Sequence, residues 1–283
     1  MLASNATNKI NIYALFGYPL SFTLSPIIHN AIFSKNKLNA FYFAQPVEPQ
    51  KLKQAIQSLR DFEWSGANIT IPHKQSVIKY LDKLDNSAKC VGAVNTIVNE
   101  NKRLVGYNTD VLGFKHTLPK QLNYNQQVIC LGAGGAALAI ISALADLGFN
   151  NIAIINRTTE RAENLISKVK QHYNKLNLQQ ITWNNVKESD LCNKELIINC
   201  TPVDFPLPVK LDLQNILVNS TCIYDLRYGL KSNEFLNKAK QNNTNYIFDG
   251  LPMLIWQALY AQKIWCGSLP NVKIVEEAIQ KWL

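Results

Sequence analysis

The stretch "VICLGAGGAALAIISALADLG", Val128 to Gly148, decides the fold. Four apolar, β-prone residues lead into a glycine turn, and an alanine-rich run of helix length closes the stretch. Gly132, Gly134 and Ala137 stand at the spacing G-x-G-x-x-A. Glycine is needed there because a pyrophosphate must approach the backbone and rest on a helix N-terminus, where free N–H groups and the dipole favour an anion. Set between an apolar strand and a helix, the motif predicts the opening βα unit of a dinucleotide-binding domain. A tight turn without a ligand is the plainer alternative.

Downstream, "NNIAIINRT", "KELIINCTP", "STCIYDLRY" and "TNYIFDG" are short apolar strands separated by helix-length segments. This is the pattern of a doubly wound, Rossmann-type sheet. The strand after the glycine loop ends in "NRTTER", about where an acid would hold the ribose hydroxyls of NAD. Asn156 and Arg157 occupy that place, with Arg161 one helical turn later. An acid would repel a 2′-phosphate, whereas two guanidinium groups clamp it with charge-assisted hydrogen bonds, so NADP(H) is the expected cofactor. The plainer reading is two arginines solvated at a helix start.

Upstream, "INIYALFG", "SPIIHNAIFSKN", "AFYFAQPV", "PQKLKQAIQSLR" and "GANITI" alternate strand and helix, which predicts βαβ units and a mostly parallel sheet covered on both faces. "AVNTIVNENKRLVGYN" breaks the rhythm: two β-rich runs flank a polar tetrad and read as a hairpin that closes the first unit near residue 109. "LPMLIWQALYAQKIW" and "VKIVEEAIQKWL" read as terminal helices. The fold class is therefore α/β, and 283 residues suffice for two domains with separate cores.

Composition narrows the function. Hydrophobic residues at 47% and charged residues at 17% describe a globular chain. Lys plus Arg exceed Asp plus Glu by 29 to 20, a formal +9 that suits anionic ligands, although scattered surface lysines explain it equally well. No dense basic run with interleaved aromatics marks a nucleic-acid groove, so no nucleic-acid partner is expected. The six cysteines are spread singly, without a CxxC pair or a histidine at ligand spacing, which points to reduced thiols and no metal. No basic leader or membrane-length apolar run is present, so the expected location is the cytoplasm, away from membranes.

"GANITIPHK", Gly66 to Lys74, runs from a strand into a proline and then a lysine. Proline stops the ladder and turns the chain at the carboxyl end of the sheet, where open α/β sheets place ligands. That would aim Lys74 at a ligand; an ordinary solvated lysine is the alternative. "GYNTDVLG" contributes Asp110, an acid able to hold such a lysine while it exchanges a proton with a substrate oxygen.

Taken together, "GYPLSFTLSPIIHNAIF", "GANITIPHK", "GAVNTIV", "GYNTDVLGF", "GAGGAA", "NRTTER", "YDLRY" and "DGLPMLIWQA" resemble the motifs of the shikimate dehydrogenase family, in order and across nearly the whole chain. The resemblance implies an N-terminal α/β substrate domain over residues 1–109, completed by C-terminal helices 250–283, and a Rossmann-type NADP-binding domain over 110–249. It also implies NADPH-dependent reduction of 3-dehydroshikimate to shikimate, by a monomer or homodimer. Lys74 would be the general acid at the C3 carbonyl oxygen and Asp110 would orient it and bind substrate hydroxyls. Thr23 and Ser25 match the positions that hold the substrate carboxylate, and Thr70, Asn95, Tyr228 and Gln257 match the remaining substrate contacts. Each of these four has a plainer role as a strand, hairpin, core or helix-surface residue. Gly132, Ala133, Gly134, Gly135 and Ala136 match the pyrophosphate loop, Asn156, Arg157, Thr158 and Arg161 the 2′-phosphate site, and Leu226 and Gly250 positions near the nicotinamide.

Four departures from the family pattern stand out. Thr23 replaces the usual serine and narrows the carboxylate pocket, which bears on shikimate against the bulkier quinate. Asp204 stands where glycine is common, Pro252 where glycine is usual, and Asn86 where an acid often sits. His29 and His73 match no catalytic position and read as structural. Two other readings stay open: a quinate/shikimate dehydrogenase using NAD, and a silent paralogue that binds nucleotide without turnover.

Overall fold

The structure is a computed structural model, in which residues 9–204, 211–229 and 233–282 are described. In chain order the first elements are β1 (Asn11–Gly17), α1 (Ser25–Lys35), β2 (Ala40–Pro46), α2 (Leu52–Asp61), β3 (Gly66–Ile69), β4 (Lys83–Leu84), α3 (Asn86–Val91), β5 (Thr96–Glu100) and β6 (Arg103–Tyr107). They build a sheet of order β2-β1-β3-β5-β6-β4. β1 runs parallel to β2 and β3, and β4 parallel to β6, while β3–β5 and the β5–β6 hairpin are antiparallel.

Both faces of this sheet are buried, as the alternation along β1 shows. Ala14 and Phe16 face one core with Val47, Leu52, Ile56 and Leu59. Tyr13 and Leu15 face the other, with Phe33, Tyr42 and Trp265. A strand residue and its neighbour point to opposite faces, so a strand covered on both sides carries apolar groups throughout.

The later elements are α4 (Asp110–Thr117), β7 (Val128–Leu131), α5 (Gly135–Leu147), β8 (Asn151–Asn156), α6 (Thr159–Lys170), β9 (Asn177–Thr182), β10 (Leu196–Asn199), α7 (Leu213–Ile216), β11 (Cys222–Asp225), α8 (Glu234–Gln241), β12 (Tyr246–Phe248), α9 (Leu251–Cys266) and α10 (Val272–Ile279). β7–β12 form an all-parallel sheet of order β12-β11-β10-β7-β8-β9, in which the strand order reverses at β7 and β10. That reversal is where Rossmann sheets take their ligands. Ile129, Leu131, Ala153, Ile155, Ile197 and Ile223 pack one face against Phe235, Leu236 and Ala239 of α8. α5 ends at Gly148, whose φ of 98° lets its N–H and that of Phe149 turn back to the carbonyls of Ala145 and Leu144.

The chain divides into two compact units. One takes in the chain up to Lys89, Ala93–Thr109 and everything from Ala258; the other takes in Cys90–Gly92 and Asp110–Gln257. The later division falls inside α9, whereas the sequence reading assigned the whole of 250–283 to the first domain. Its cause is close packing within the second unit: a Cβ on Gly113 of α4 would lie 2.8 Å from the Gln257 backbone nitrogen, and the His116 and Trp256 rings stack with centroids 3.3 Å apart. Among the described residues, no helix is long and apolar enough to cross a membrane, and no group of His, Cys, Asp or Glu is arranged to hold a metal.

Candidate active site

In the first unit the candidate residues gather where β1 and β3 end and β5 begins. Thr70 follows the last residue of β3, its N–H donating to the Phe16 carbonyl at 2.9 Å, while the Ile69 N–H donates to the Asn95 carbonyl at 2.9 Å. The chain then turns: the His73 N–H returns to the Thr70 carbonyl at 2.9 Å, and the Lys74 carbonyl accepts the Val94 N–H at 2.8 Å. Lys74 is thus pinned by its backbone beside Asn95, with its side chain half-buried. His73 is buried and its Nε2 lies 2.6 Å from the Val47 carbonyl, to which it must donate, so its ring serves the turn.

Beneath these residues lies a buried polar network. The Tyr42 hydroxyl donates to Asn68 Oδ1 at 2.8 Å, and Asn68 Nδ2 donates to the Asn95 carbonyl and to Thr96 Oγ1, both at 3.0 Å. Asn95 Oδ1 accepts the Thr109 N–H at 2.8 Å and the Thr96 hydroxyl at 3.0 Å, and its Nδ2 donates to Thr109 Oγ1 at 2.9 Å. Buried amides and hydroxyls satisfied in this way fix one arrangement of the strands that carry them. Asn95 therefore holds Thr109, the residue before Asp110, in addition to any contact with a ligand. Sequence reading passed over Asn68 and Tyr42, although Asn68 shares a strand face with Thr70 two residues on and is the only polar side chain within β3.

Thr23 and Ser25 stand at the start of α1. Thr23 Oγ1 accepts the Ser25 N–H at 3.2 Å and lies 3.2 Å from Ser25 Oγ. Two hydroxyls at the N-terminus of an eleven-residue helix make a place suited to a carboxylate. His29, deeper on α1, is fully buried and stacks on Tyr42 with ring centroids 4.3 Å apart; Gln262 Nε2 donates to its Nδ1 at 2.9 Å. Burial pushes its pKa down to about 3, against a weaker opposing hydrogen bond, so the ring is neutral.

The second unit opens with Asp110, buried in the first turn of α4, where the helix dipole favours a carboxylate. Its glycine loop separates two causes for glycine. Gly132 has φ of 106° and a Cβ there would come within 2.8 Å of Thr201 Cγ2, so the fold itself excludes a side chain. A Cβ on Gly134 or Gly135 would meet nothing within 4 Å. The protein leaves that space open in front of α5, whose N-cap Gly134 offers no side-chain cap to the free N–H groups of the thirteen-residue helix. Ala133 lies in the same loop, Ala136 in the first turn of α5, and Ala137 is fully buried. The cradle fits a pyrophosphate.

At the end of β8, Asn156 Nδ2 donates to the Thr158 carbonyl at 2.7 Å and shapes the turn. Thr158 N-caps α6 without a side-chain bond. Arg157 and Arg161 are exposed, and neither is ion-paired with a described residue. Two unneutralised guanidinium groups beside an anion cradle, with no acid at the strand end, fit a 2′-phosphorylated dinucleotide.

Leu226 and Tyr228 follow β11, and Gly250 follows β12. The Gly250 N–H donates to the Arg227 carbonyl at 2.9 Å, and a Cβ on Gly250 would collide with the Leu226 carbonyl. Tyr228 is half-buried and its hydroxyl pKa is raised by burial. Gln257 Nε2 donates to the Leu254 carbonyl at 2.9 Å.

The departures also find physical reasons. Asp204, though exposed, is held in place: it pairs with Arg227 at 2.7 Å and accepts the Glu234 N–H of α8 at 3.1 Å. Asn86 opens α3, but the acid next to it, Asp85, accepts the Ser87 N–H at 2.9 Å and so does the capping. Pro252 sits in the first turn of α9, where a missing N–H costs nothing. The cysteines, spread singly in sequence, include one pair that adjacent strands bring together, Cys130 and Cys200, with sulfurs 3.5 Å apart; all six are free thiols.

Residues 15–97 match the model of the shikimate dehydrogenase substrate binding domain, and residues 116–220 that of shikimate / quinate 5-dehydrogenase. The shikimate dehydrogenase (NADP(+)) of Methanocaldococcus jannaschii is 37% identical over 279 residues, covering 96% of each chain. Among solved structures, shikimate dehydrogenase from Aquifex aeolicus is 33% identical with a TM-score of 0.84, covering 98% of this chain and all of its own. The Thermus thermophilus enzyme in complex with NADP(H) and shikimate is 29% identical with a TM-score of 0.83, covering 97% of this chain and 100% of its own.

Proposed function

The chain belongs to the shikimate dehydrogenase family, and from that premise we propose that it catalyses the reversible NADPH-dependent reduction of 3-dehydroshikimate to shikimate, on the route to chorismate and the aromatic amino acids. The observation that carries this reading is the match along nearly the whole chain to an enzyme named for that substrate and that cofactor. The open glycine cradle and the exposed Arg157 and Arg161 support the cofactor independently.

Gly132, Ala133, Gly134, Gly135 and Ala136 would hold the pyrophosphate, Asn156, Arg157, Thr158 and Arg161 the 2′-phosphate, and Leu226 and Gly250 the nicotinamide end. The bound cofactor supplies the hydride that reduces the carbonyl carbon. Lys74 donates a proton to the C3 carbonyl oxygen, which becomes the hydroxyl, and takes it back in the reverse direction. Asp110 orients the ammonium group and accepts hydrogen bonds from substrate hydroxyls. Thr23 and Ser25 donate to the substrate carboxylate at the α1 N-terminus, and Thr70, Asn95, Tyr228 and Gln257 complete its hydrogen bonds. The substrate domain comprises residues 1–109 with the C-terminal helices, and the nucleotide domain the residues between. The working protein is a cytoplasmic monomer or homodimer whose ligands are these small molecules, with no nucleic-acid or membrane partner.

The test is the change in nicotinamide absorbance when purified protein meets shikimate or quinate, each with NADP+ or NAD+. Turnover confined largely to shikimate with NADP+ is expected. Turnover on quinate with NAD+ would overturn the reading of Thr23 and Arg157, and no turnover in any combination would leave a silent nucleotide-binding protein.

A further inference from the structure

Arg227 is the centre of a charged cluster to which the proposed function assigns no role. Asp225 ends β11 fully buried, where a lone carboxylate would carry a heavy desolvation cost. Arg227 folds back over it, with Nε 3.0 and 3.1 Å from the two carboxylate oxygens and Nη2 2.5 Å from Oδ2. The Arg227 backbone N–H donates to Oδ1 at 3.0 Å, and the Nδ2 groups of Asn233 and Asn199 donate to Oδ2 at 3.0 and 3.3 Å. Asp225 is thereby satisfied without any further partner.

Nη2 nevertheless reaches a second acid. It donates to Asp204 Oδ1 at 2.7 Å, and Asp204 Oδ2 accepts the Glu234 N–H at 3.1 Å, in the first turn of α8. One guanidinium thus ties together the segment after β10, the segment after β11 and the start of α8. Burial opposes ionisation of Asp204, but the Glu234 N–H and the Arg227 charge outweigh it and hold the carboxyl below its ordinary value, so the pair is charged at neutral pH.

What this knot holds is the backbone next to the candidate nicotinamide residues. Arg227 lies between Leu226 and Tyr228, its carbonyl accepts the Gly250 N–H, and the Leu226 carbonyl packs directly on Gly250. The segment before Asp204 reaches the phosphate loop as well, since the Thr201 methyl is the group that a Cβ on Gly132 would strike. Asp204 is 37% exposed, and a pair so exposed contributes little to stability. Its effect is geometric: a planar fork held by two carboxylates fixes direction as well as distance.

We propose that Asp204 and Arg227 form a positioning clamp for the nicotinamide half of the cofactor, fixing the segment that carries Leu226 and Tyr228 against Gly250, while the adenosine half is left to the glycine loop and Arg157. The clamp rests on the cofactor assignment made above.

The test compares two ligands by titration calorimetry on wild type, Asp204→Ala, Asp204→Glu and Arg227→Lys. NADP+ spans both halves of the site, and adenosine 2′,5′-bisphosphate carries the 2′-phosphate without the nicotinamide. Asp204→Ala and Arg227→Lys should weaken NADP+ about tenfold, ~1.4 kcal/mol, and leave adenosine 2′,5′-bisphosphate within about twofold. Asp204→Glu should restore part of the loss. Equal weakening of both ligands would mean general loosening, and no change in either would mean the pair is ornamental to binding; each overturns the clamp. A wild type that binds NADP+ without oxidising shikimate would overturn the reaction while leaving the clamp readable. A wild type that does not bind NADP+ would overturn both.

Discussion

The two units prepare a ligand end by opposite means. In the first, side chains do it: Tyr42, Asn68, Asn95, Thr96 and Thr109 form a buried, mutually satisfied network beneath Thr70 and Lys74. In the second, bare backbone does it: glycines at 134 and 135 face open space in front of an uncapped helix. The contrast follows from the ligands. A hydroxylated carboxylic acid is recognised through several hydroxyls, each needing an oriented partner, whereas a pyrophosphate asks for close approach to N–H groups that any helix start presents. On the proposed assignment, function and stability share residues in the first unit, while at Gly134 and Gly135 of the second they separate.

The largest effect belongs to the first unit. Lys74 is anchored by its carbonyl and its side chain is half-buried, so Lys74→Ala should remove turnover without unfolding the protein. Loss of a general acid costs about 10²–10⁴ in rate, and kcat for shikimate oxidation should fall by that factor with the melting temperature and NADP+ affinity unchanged. Near-normal kcat would mean that water or another group moves the proton.

The next effect sharpens the contrast from the other side. Because a Cβ on Gly134 meets nothing, and its φ of −89° is open to any residue, Gly134→Val should leave thermal stability nearly untouched. On the proposed assignment the same side chain would fill the phosphate cradle, so NADP+ affinity should drop by ~10² or more, read by calorimetry. A fall in melting temperature as large as the fall in affinity would show that the glycine serves the fold, as Gly132 does.

What could be read in advance follows the same division. Backbone-made features leave sequence marks, since glycine spacing, strand–helix rhythm and the "NRTTER" strand end lie within short windows. The βαβ order, the hairpin at β5–β6 and the reversal of the second sheet all follow from them. β9, "NLQQIT", escaped because an edge strand is exposed along much of its length and carries no apolar run. Contact-made features leave no such mark. The hydrogen bonds of Asn68 to Asn95 and Thr96 span 27 and 28 positions, and Asp204 meets Arg227 across 23. Asp204 looked like a bare departure because its partner lies on another strand end; only the fold shows that an extra acid arrives with a base to meet it.

The smallest effect at neutral pH, and the one that reaches deepest into the first unit, concerns His29. Folded, its pKa is lowered by burial to about 3, while the unfolded chain takes up a proton near the ordinary histidine value of about 6.5. Above that value both states are neutral and the group adds no pH dependence. As pH falls below it, the unfolded state binds a proton that the native ring, stacked on Tyr42 and bonded to Gln262, refuses, so stability is lost progressively down to the folded pKa. The slope for one proton is about 1.4 kcal/mol per pH unit. Carboxylates titrate in the lower part of the same range, so the measurement is a difference: urea unfolding of wild type and His29→Gln at pH 7, 6, 5 and 4. Between pH 6 and 4 the wild type should lose stability faster than the variant by about that slope. Parallel curves would mean that the native ring accepts a proton in place, and the network that holds Asn95 and Thr109 through Tyr42 and Asn68 would then have to tolerate a buried imidazolium stacked on Tyr42.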